Sequence, residues 1–384
     1  MLKVSNRSQI SSFIVMDVMQ SAAEQEALGR EVLHLEVGQP STPAPEKVLQ
    51  TAKKVFDQDK LGYTVALGID PLRERIARHY QDFYNICVST QNIVVTSGST
   101  GGFILAFLTA FNEGDRVVYG SPGYPCYRNI LTALGIEPVE ILTGPETRFQ
   151  PTPELIEQIE EPVDGLIVAS PANPTGTMID NTEMETLSNY CQTKGIRLIS
   201  DEIYHGITYQ HPAVSAYRYS KDAIILNSFS KYFSMTGWRL GWMIIPDNWI
   251  RPIECLAQNF YISPHTLSQI AGTAAFDCYE EINGHVARYA KNREILLNEL
   301  PSAGLDKLAP ADGAFYIYAD ISHLTDDSTG FCSQLLVDTG VAATPGIDFD
   351  PSRGHQTMRF SFCGKTHDMI EAAKQLKSWI GQKT

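Results

Sequence analysis

A lysine inside an aromatic segment that also contains a cation is the most reactive group the sequence offers. Lys231 lies in the segment 228–242, with Ser228 and Ser230 just before it and Arg239 eight residues after it. Desolvation and a nearby cation both lower the pKa of a lysine, which makes a free amine available to add to a carbonyl group. The hydroxyls and the guanidinium are groups that bind phosphate. The segment therefore predicts carbonyl chemistry beside a phosphate, although a lone lysine at a strand end is more often a solvated surface residue.

A glycine-rich turn at residues 98–102 (GSTGG) is a second phosphate-binding pattern. It follows the apolar run 93–95 and precedes the apolar run 103–111, so we expect it at a helix N-terminus. Unpaired N–H groups and the positive end of the helix dipole attract a phosphate there. The pattern is weak by itself, because a plain strand-to-helix turn has the same composition.

Three further turns carry groups that suit a flat aromatic ligand. Tyr124 lies in the turn 122–127, Asn173 lies in the turn 170–176, and Asp201 and Tyr204 follow the apolar run 196–199. A tyrosine ring can stack on a conjugated ligand, and a carboxylate can pair with a protonated ring nitrogen. The alternatives are a core tyrosine, a turn asparagine and a helix-capping aspartate.

Arg359 stands among apolar residues in the run 356–362 (QTMRFSF). A guanidinium in such a run is costly to bury unless it is paired, and it can hold a carboxylate with two parallel hydrogen bonds. The run therefore indicates a carboxylate site, and the alternative is a surface arginine on an edge strand.

Strands that alternate with helices must position these groups. Short, β-branched apolar runs occur at 93–95, 116–119, 165–168, 196–199 and 223–226, and most are followed by a turn and a helical pattern. This alternation predicts an α/β fold with a mostly parallel sheet that is sandwiched by helices. After it, a helical pattern at 281–300 and strand-like runs at 315–318 and 358–362 predict a second, smaller α+β domain. We expect an N-terminal arm with part of the small domain at 1–44, the large domain at 45–280, and the small C-terminal domain at 281–384.

Composition limits the classes of function. The 384 residues carry a formal net charge of -14, which disfavours a nucleic-acid-binding protein because such proteins need a basic surface. The seven cysteines are scattered, so we expect reduced thiols and neither a disulfide framework nor a metal site. No run approaches the roughly 20 apolar residues of a membrane span. A cytoplasmic protein without membrane or nucleic-acid partners is expected.

The blocks described above occur in the order found in one known family. Residues 228–242 resemble the lysine signature of the class I/II aminotransferases, which are fold-type-I enzymes of the aspartate-aminotransferase-like superfamily and use pyridoxal 5′-phosphate (PLP). From about Tyr63 to Arg359 the resemblance covers most of the chain. It implies a homodimer, because the block around Tyr63 is similar to one whose tyrosine reaches the cofactor phosphate of the neighbouring subunit. The sequence departs from the family at Asp70-Pro71, where Pro-Glu is more familiar, and at Gln39, where an acidic residue is common.

The resemblance also implies a role for each candidate residue. Lys231, Asp201 and Tyr204 would be catalytic, with PLP bound to Lys231 as a Schiff base and Asp201 against the pyridine nitrogen. Arg359, Gly38 and Asn173 would bind the substrate. The remaining cofactor contacts would come from Ser99, Thr100, Gly101, Tyr124, Asn173, Tyr204, Ser228, Arg239 and, from the other subunit, Tyr63.

The implied reaction moves an amino group from an L-amino acid to a 2-oxo acid by a ping-pong mechanism. A PLP-dependent β-lyase on the same fold is an alternative, which would release pyruvate and ammonia without an acceptor. A catalytically silent interaction protein is a further alternative, but the intact set of Lys231, Asp201, Tyr204 and Arg359 argues against it. The sequence offers no clearly placed second arginine for a side-chain carboxylate, which favours neutral or aromatic amino acids.

Overall fold

The computed structural model describes residues 2–58 and 61–382. Its helices are α1 (Ile14–Ala27), α2 (Glu46–Gln58), α3 (Asp70–Tyr84), α4 (Gly98–Ala110), α5 (Cys126–Leu134), α6 (Pro153–Ile156), α7 (Asn181–Lys194), α8 (Ile250–Phe260), α9 (Thr266–Ala275), α10 (Tyr279–Ser302), α11 (Ser328–Thr339) and α12 (Thr366–Ile380). Its strands are β1 (Leu33–His34), β2 (Ile93–Thr96), β3 (Arg116–Ser121), β4 (Glu137–Leu142), β5 (Gly165–Ala169), β6 (Arg197–Asp201), β7 (Ile224–Ser228), β8 (Gly241–Ile244), β9 (Tyr316–Asp320), β10 (Val341–Ala342), β11 (Thr344–Pro345) and β12 (Thr357–Ser361).

Seven strands form the main sheet, in the order β2-β8-β7-β6-β5-β3-β4. Neighbours from β7 to β4 pair in parallel, and β8 is antiparallel to both β7 and β2. The strands β2, β7 and β8 are buried along their whole length, because helices cover both faces and apolar side chains can point either way. The expected mostly parallel sheet is confirmed.

Two apolar cores lie on the two faces of this sheet. One contains residues of α4 and α8, such as Phe107 and Ile253, packed against Val94 and Ile167. The other contains residues of α3, α7 and α9 and continues into α10 and α12. The sheet is therefore the middle layer of a helix-sheet-helix sandwich.

A smaller unit surrounds the antiparallel sheet β11-β12-β9. In this sheet Arg359 of β12 is paired with Tyr318 of β9 and with Thr344 of β11. The N-terminal strand β1 runs parallel to β10, so residues 33–34 are held beside residues 341–342. The helical pattern expected at 281–300 corresponds to α10, which packs against α12.

The carboxyl ends of the parallel strands bring the candidate residues to one edge of the main sheet. Asp201 ends β6, Ser228 ends β7, and Asn173 lies in the loop after β5. Parallel sheets bind their ligands at this edge. Among the described residues, none of the helices has the length and apolar character that crossing a membrane requires.

Candidate active site

Lys231 lies in the loop that follows β7, is half-buried, and has its amine close to residues of both units of the fold. The Nζ donates a hydrogen bond to the main-chain oxygen of Gly38 at 2.6 Å, and it lies 5.9 Å from the ring centroid of Tyr204. Burial lowers the pKa of Lys231 from 10.5 to about 8, and the positive charges of Arg359 and Arg239 act in the same direction. A useful fraction of the amine is therefore neutral near pH 7 and able to act as a nucleophile or a base.

The N-terminus of α4 is a cradle for an anion. The helix begins at Gly98 without a side-chain cap and without an acidic residue in its first turn, so its first N–H groups lack partners from the helix itself. Gly98 has a φ of +70°, and a Cβ atom there would lie 2.5 Å from Nη2 of Arg239. Arg239 forms no ion pair with a carboxylate in the described part of the chain. Arg239 is exposed, and its Nη1 donates to the main-chain oxygen of Thr236 at 3.0 Å, so its charge is not neutralised. Unpaired helix N–H groups, a helix dipole and a guanidinium without a counter-ion together suit a phosphate.

Three residues that were expected at the phosphate lie in the first turn of α4, and a fourth lies on the neighbouring strand. Ser99, Thr100 and Gly101 follow Gly98 directly, and Ser228 is paired with Gly241 across β7 and β8. A Cβ atom on Gly241 would lie 2.8 Å from the main-chain nitrogen of Ser99. The structure therefore brings all four together with Arg239 around the start of α4.

Asp201 is a buried carboxylate whose charge has no cationic partner in direct contact. It is 2% exposed, it accepts hydrogen bonds from the Tyr127 hydroxyl and from the main-chain N–H of Ile203, and it takes part in no ion pair among the described residues. Burial raises its pKa from 3.8 to about 6, and the Tyr127 hydrogen bond opposes this rise. A protonated ring nitrogen is a group that such a carboxylate would hold.

Tyr204 is joined to a tyrosine from the smaller unit. Its hydroxyl lies 2.7 Å from that of Tyr316, and burial raises the pKa of both groups, that of Tyr316 to about 12. A Cβ atom on Gly38 would lie only 1.7 Å from the Tyr316 oxygen. Gly38 is therefore required for the close approach of Tyr316, and its main-chain oxygen also accepts the hydrogen bond from Lys231.

Arg359 presents a buried guanidinium. It is 2% exposed and donates to the side-chain oxygen of Asn173 at 2.8 Å, to Thr344 at 3.2 Å and to the main-chain oxygen of Glu36, while its Nε has no hydrogen-bond partner. Its centre lies 4.3 Å from the Tyr316 ring centroid and 4.6 Å from that of Phe349. Its acceptors are neutral oxygens, so the group retains a positive charge that can receive a carboxylate.

Tyr124 is linked to Asp201 by Tyr127, a residue of α5 that contacts both. Its ring is 5.3 Å from that of Tyr127, which donates to Asp201, and 5.8 Å from that of Phe13 in the N-terminal segment. Tyr124 therefore lies near Asp201, and its use in ring stacking stays a prediction. The bond Asn173-Pro174 is cis.

Tyr63 is not brought into this cluster. Its side chain is 82% exposed, and the adjacent residues Gly62 and Thr64 are held by hydrogen bonds to Thr266 and Ser263. In one chain Tyr63 therefore faces outward.

Two residues of the cluster, Tyr127 and Tyr316, were not found from the sequence. Tyr127 follows Tyr124 by three residues at the start of a helix, and that spacing places both on one face, so it could have been found. Tyr316 occurs in the aromatic run 315–318, which looks like the core of a strand. Its role depends on Gly38 and Tyr204, both more than 100 residues away.

The arrangement fits PLP. The start of α4 with Arg239 would hold the phosphate, Asp201 the ring nitrogen, and Lys231 the carbonyl carbon. The fit rests on charges that lack a counter-charge in contact, namely the buried carboxylate of Asp201 and the guanidinium of Arg239.

Comparisons with known proteins agree with this fit. Residues 30–376 match the family model of aminotransferase class I and II. The chain is 50% identical to the valine–pyruvate aminotransferase of Mycobacterium tuberculosis over 98% of both chains. It is 49% identical to an aminotransferase crystal structure from Mycobacterium tuberculosis, with a TM-score of 0.98 over 100% of both chains. The aspartate aminotransferase of Thermus thermophilus with maleate is 29% identical, with a TM-score of 0.92 over 98% of this chain and 100% of that one.

These matches confirm the expected fold, the expected cofactor and the expected class of enzyme. They favour an aminotransferase over the β-lyase and over the catalytically silent protein. The chain belongs to the class I and II aminotransferases, which are PLP-dependent enzymes acting on amino acids and 2-oxo acids.

Proposed function

We propose that this aminotransferase transfers the amino group of valine, or of a similar apolar L-amino acid, to pyruvate. The products are 3-methyl-2-oxobutanoate and alanine, so the amino group and the keto oxygen exchange places. The observation that carries the proposal is the 50% identity to a valine–pyruvate aminotransferase over nearly the full length of both chains. The aromatic pair of Phe13 and Tyr124 beside the cluster supports an apolar substrate side chain.

We propose that the cofactor is bound covalently at Lys231, with the phosphate held by Ser99, Thr100, Gly101, Ser228 and Arg239. Tyr124 would stack on the ring, Asp201 would pair with its nitrogen, and Asn173 and Tyr204 would contact its hydroxyl. PLP supplies a carbonyl carbon that accepts the amino group and a ring that withdraws electrons from the substrate Cα. Neither Asp201 nor Arg239 forms an ion pair among the described residues, which supports these assignments.

The residues of the chain would orient the substrate and move its proton. Arg359 would bind the substrate carboxylate with two parallel hydrogen bonds, and Gly38 and Asn173 would complete that subsite. This fixes Cα relative to Lys231, whose Nζ would take the Cα proton and later return one as a general acid. Both substrates carry a carboxylate beside the reacting carbon, so one subsite would serve both halves of a ping-pong reaction.

We also propose a homodimer in which Tyr63 reaches the cofactor phosphate of the partner subunit. Tyr63, Val65, Phe260 and Ile262 are large apolar residues that are each more than half exposed. Hydrogen bonds between Thr64 and Ser263 and between Gly62 and Thr266 bring their two segments together, so they form one surface. We further propose that residues 45–280 act as the large domain and that residues 281–384, with part of 1–44, act as the small one.

A panel of amino donors with pyruvate and with 2-oxoglutarate tests the substrate proposal. We expect the highest kcat/KM for valine or another apolar donor with pyruvate, measured as the alanine formed. A clear preference for aspartate or glutamate would contradict the proposal. Release of pyruvate and ammonia from a donor without any acceptor would favour the β-lyase instead.

Substitution of the lysine tests the assignment of the site. Lys231→Ala should abolish turnover and the covalent attachment of PLP, measured by mass spectrometry after borohydride reduction, while the circular dichroism spectrum is unchanged. Lys194→Ala is the matched control, since Lys194 lies on the surface of α7. Turnover by Lys231→Ala, or cofactor retained on another lysine, would show that the site is wrong.

A further inference from the structure

The start of α1 is held by a residue that is distant in sequence. Phe13 precedes the helix and gives it no side-chain cap. Instead, the main-chain N–H groups of Ile14 and Val15 donate to the two carboxylate oxygens of Asp348, at 3.2 and 3.3 Å. Asp348 is fully buried. Its carboxylate therefore supplies the anionic cap that the helix dipole favours, and it ties the N-terminal segment to the loop 346–350.

The same loop lies against the proposed carboxylate subsite. Phe349 places its ring 4.6 Å from the centre of Arg359, and Arg128 donates to the main-chain oxygen of Asp348 at 2.7 Å. Burial raises the pKa of Asp348, whereas the hydrogen bond from Ile14 and the positive charges of Arg359 and Arg128 lower it. Asp348 thus lies among three positive groups, which are the α1 N-terminus, Arg128 and Arg359. Its carboxylate therefore lies near the guanidinium that would receive the substrate.

Phe13 is fixed from two sides. Asp348 holds Ile14 and Val15, which follow Phe13. The ring of Phe13 lies edge-on to that of Tyr124, with the ring centroids 5.8 Å apart and an interplanar angle of 83°. Phe13 is only half-buried, so part of its ring is uncovered by the chain. The ring therefore offers apolar surface beside the proposed stacking residue, at the end of an arm whose position depends on Asp348.

We propose that Phe13 determines specificity by covering the side chain of an apolar substrate, and that Asp348 is the positioning residue that holds Phe13 there. This proposal rests on the proposed function, because it concerns the side-chain pocket of the same site. A substrate on Arg359 would have its carboxylate next to the loop of Asp348 and its side chain beneath the start of α1. Larger apolar side chains bury more surface against the Phe13 ring, so this contact contributes more to the binding free energy of such substrates than to that of alanine.

The first test compares donors of different size. In Phe13→Ala, kcat/KM for valine should fall about tenfold, the effect of a methyl-sized contact in an apolar pocket, whereas kcat/KM for alanine should change less than about threefold. The loss should be mainly in KM, because the contact binds the substrate away from the reacting atoms. Met16→Ala is the matched control: Met16 is an apolar residue of the same helical turn that is 53% exposed. It should leave the ratio of valine to alanine unchanged.

Asp348 variants separate positioning from folding. Asp348→Ala should reproduce the selective loss for valine, and Asp348→Asn, which keeps one acceptor oxygen, should recover part of it. Hydrogen exchange of the holoenzyme should show faster exchange at the amides of Ile14 and Val15 in Asp348→Ala. If Asp348→Ala fails to fold, the Asn variant and Phe13→Ala carry the test.

A binding measurement gives a readout that does not depend on turnover. The carboxylate 3-methylbutanoate has the carbon skeleton of valine without its amine, and propanoate is the corresponding probe for alanine. By calorimetry on the holoenzyme, Phe13→Ala should weaken the binding of 3-methylbutanoate about tenfold and that of propanoate less than about threefold.

The two proposals fail in different ways. Suppose that the wild-type enzyme uses valine, but that Phe13→Ala lowers kcat/KM for both donors equally, or the affinity for both carboxylates equally, or changes neither quantity. The inference about Phe13 is then wrong and the proposed function stands. If Asp348→Ala leaves the exchange of Ile14 and Val15 unchanged, the positioning role of Asp348 is wrong. If the wild-type enzyme prefers an acidic donor, the proposed function is wrong at its first step, before any variant is compared.

Discussion

Replacement of Asp201 by asparagine should stabilise the cofactor-free protein while it weakens cofactor binding. Asp201 is 2% exposed, and burial raises its pKa from 3.8 to about 6. A shift of about two units corresponds to about 3 kcal/mol by which burial disfavours the charged form. Asparagine has nearly the same shape and carries no charge, and its oxygen can still accept the hydrogen bond from Ile203. This penalty already includes the hydrogen bond from Tyr127, and the poorer fit of an amide in a carboxyl site would cost about 1 kcal/mol, so a net gain of about 2 kcal/mol remains.

The gain should depend on pH in a defined direction. Because the pKa of Asp201 is higher in the folded than in the unfolded protein, the folded protein holds the proton more tightly. The penalty for its charge is therefore absent below about pH 4, grows between about pH 4 and pH 6, and is complete above that. The free energy of unfolding of Asp201→Asn should exceed that of the wild type by about 2 kcal/mol at pH 7.5. The difference should decrease, and then reverse slightly through the poorer fit of the amide, as the pH approaches 4, where Asp201 is also neutral.

Urea unfolding of the cofactor-free proteins at one fixed concentration measures this difference. Asp326→Asn is the control, because Asp326 is exposed and should change stability by less than about 0.5 kcal/mol at any pH. With excess PLP the order should reverse, since the ligand stabilises the protein that binds it more tightly. A cofactor-free variant that is less stable than the wild type at pH 7.5, or a gain of equal size at pH 4.5 and 7.5, would refute the reasoning.

Three other substitutions test the contacts around this carboxylate and the substrate subsite. Tyr127→Phe removes the hydroxyl that lowers the pKa of Asp201, so the affinity for PLP should fall about tenfold near pH 7, and this loss should shrink by pH 9. A fluorescence titration measures the affinity, and a loss that stays constant from pH 7 to pH 9 would argue against the charge effect. Gly38→Ala would place a Cβ atom 1.7 Å from the Tyr316 oxygen, so kcat should fall at least about tenfold. Gly284→Ala, which has open space around it, should leave kcat unchanged, and a normal kcat in Gly38→Ala would contradict the packing seen here. Arg359→Lys loses the two parallel hydrogen bonds, so KM should rise about 10- to 100-fold for donor and acceptor alike, and a rise for only one of them would exclude a shared subsite.

The sequence predicts the parallel sheet well, because strands that are buried on both faces must be apolar along their length. The runs 165–168 and 223–226 have this composition, and they correspond to the parallel strands β5 and β7. It also predicts which residues lie at the ligand-binding edge, since the ends of parallel strands meet there. Asp201 and Ser228 could be placed in this way without knowledge of any contact.

Contacts between units distant in sequence could not be predicted. Tyr316 matters because Gly38 leaves room for it, and Asp348 matters because it caps a helix that begins 334 positions earlier in the chain. Neither residue type nor local spacing contains this information, since an aromatic strand residue and a loop aspartate are ordinary features. Tyr63 is not part of the cluster within one chain, because its side chain faces outward, so the proposed role of Tyr63 depends on a partner subunit.

The residues that were easiest to recognise share a physical property. Asp201 and Arg359 are both buried, and within the described residues neither forms an ion pair, although a buried charge without a counter-ion is costly to fold. Such charges persist when a ligand supplies the missing counter-charge, which here would be the protonated ring nitrogen for Asp201 and the substrate carboxylate for Arg359. Residues whose partners are already within the chain, such as Tyr127 and Asp348, carry no such mismatch and look ordinary in the sequence. Ligand binding should therefore stabilise this protein through Asp201 and Arg359 in particular, and their neutral variants should show the smallest gain in stability from cofactor and substrate, respectively.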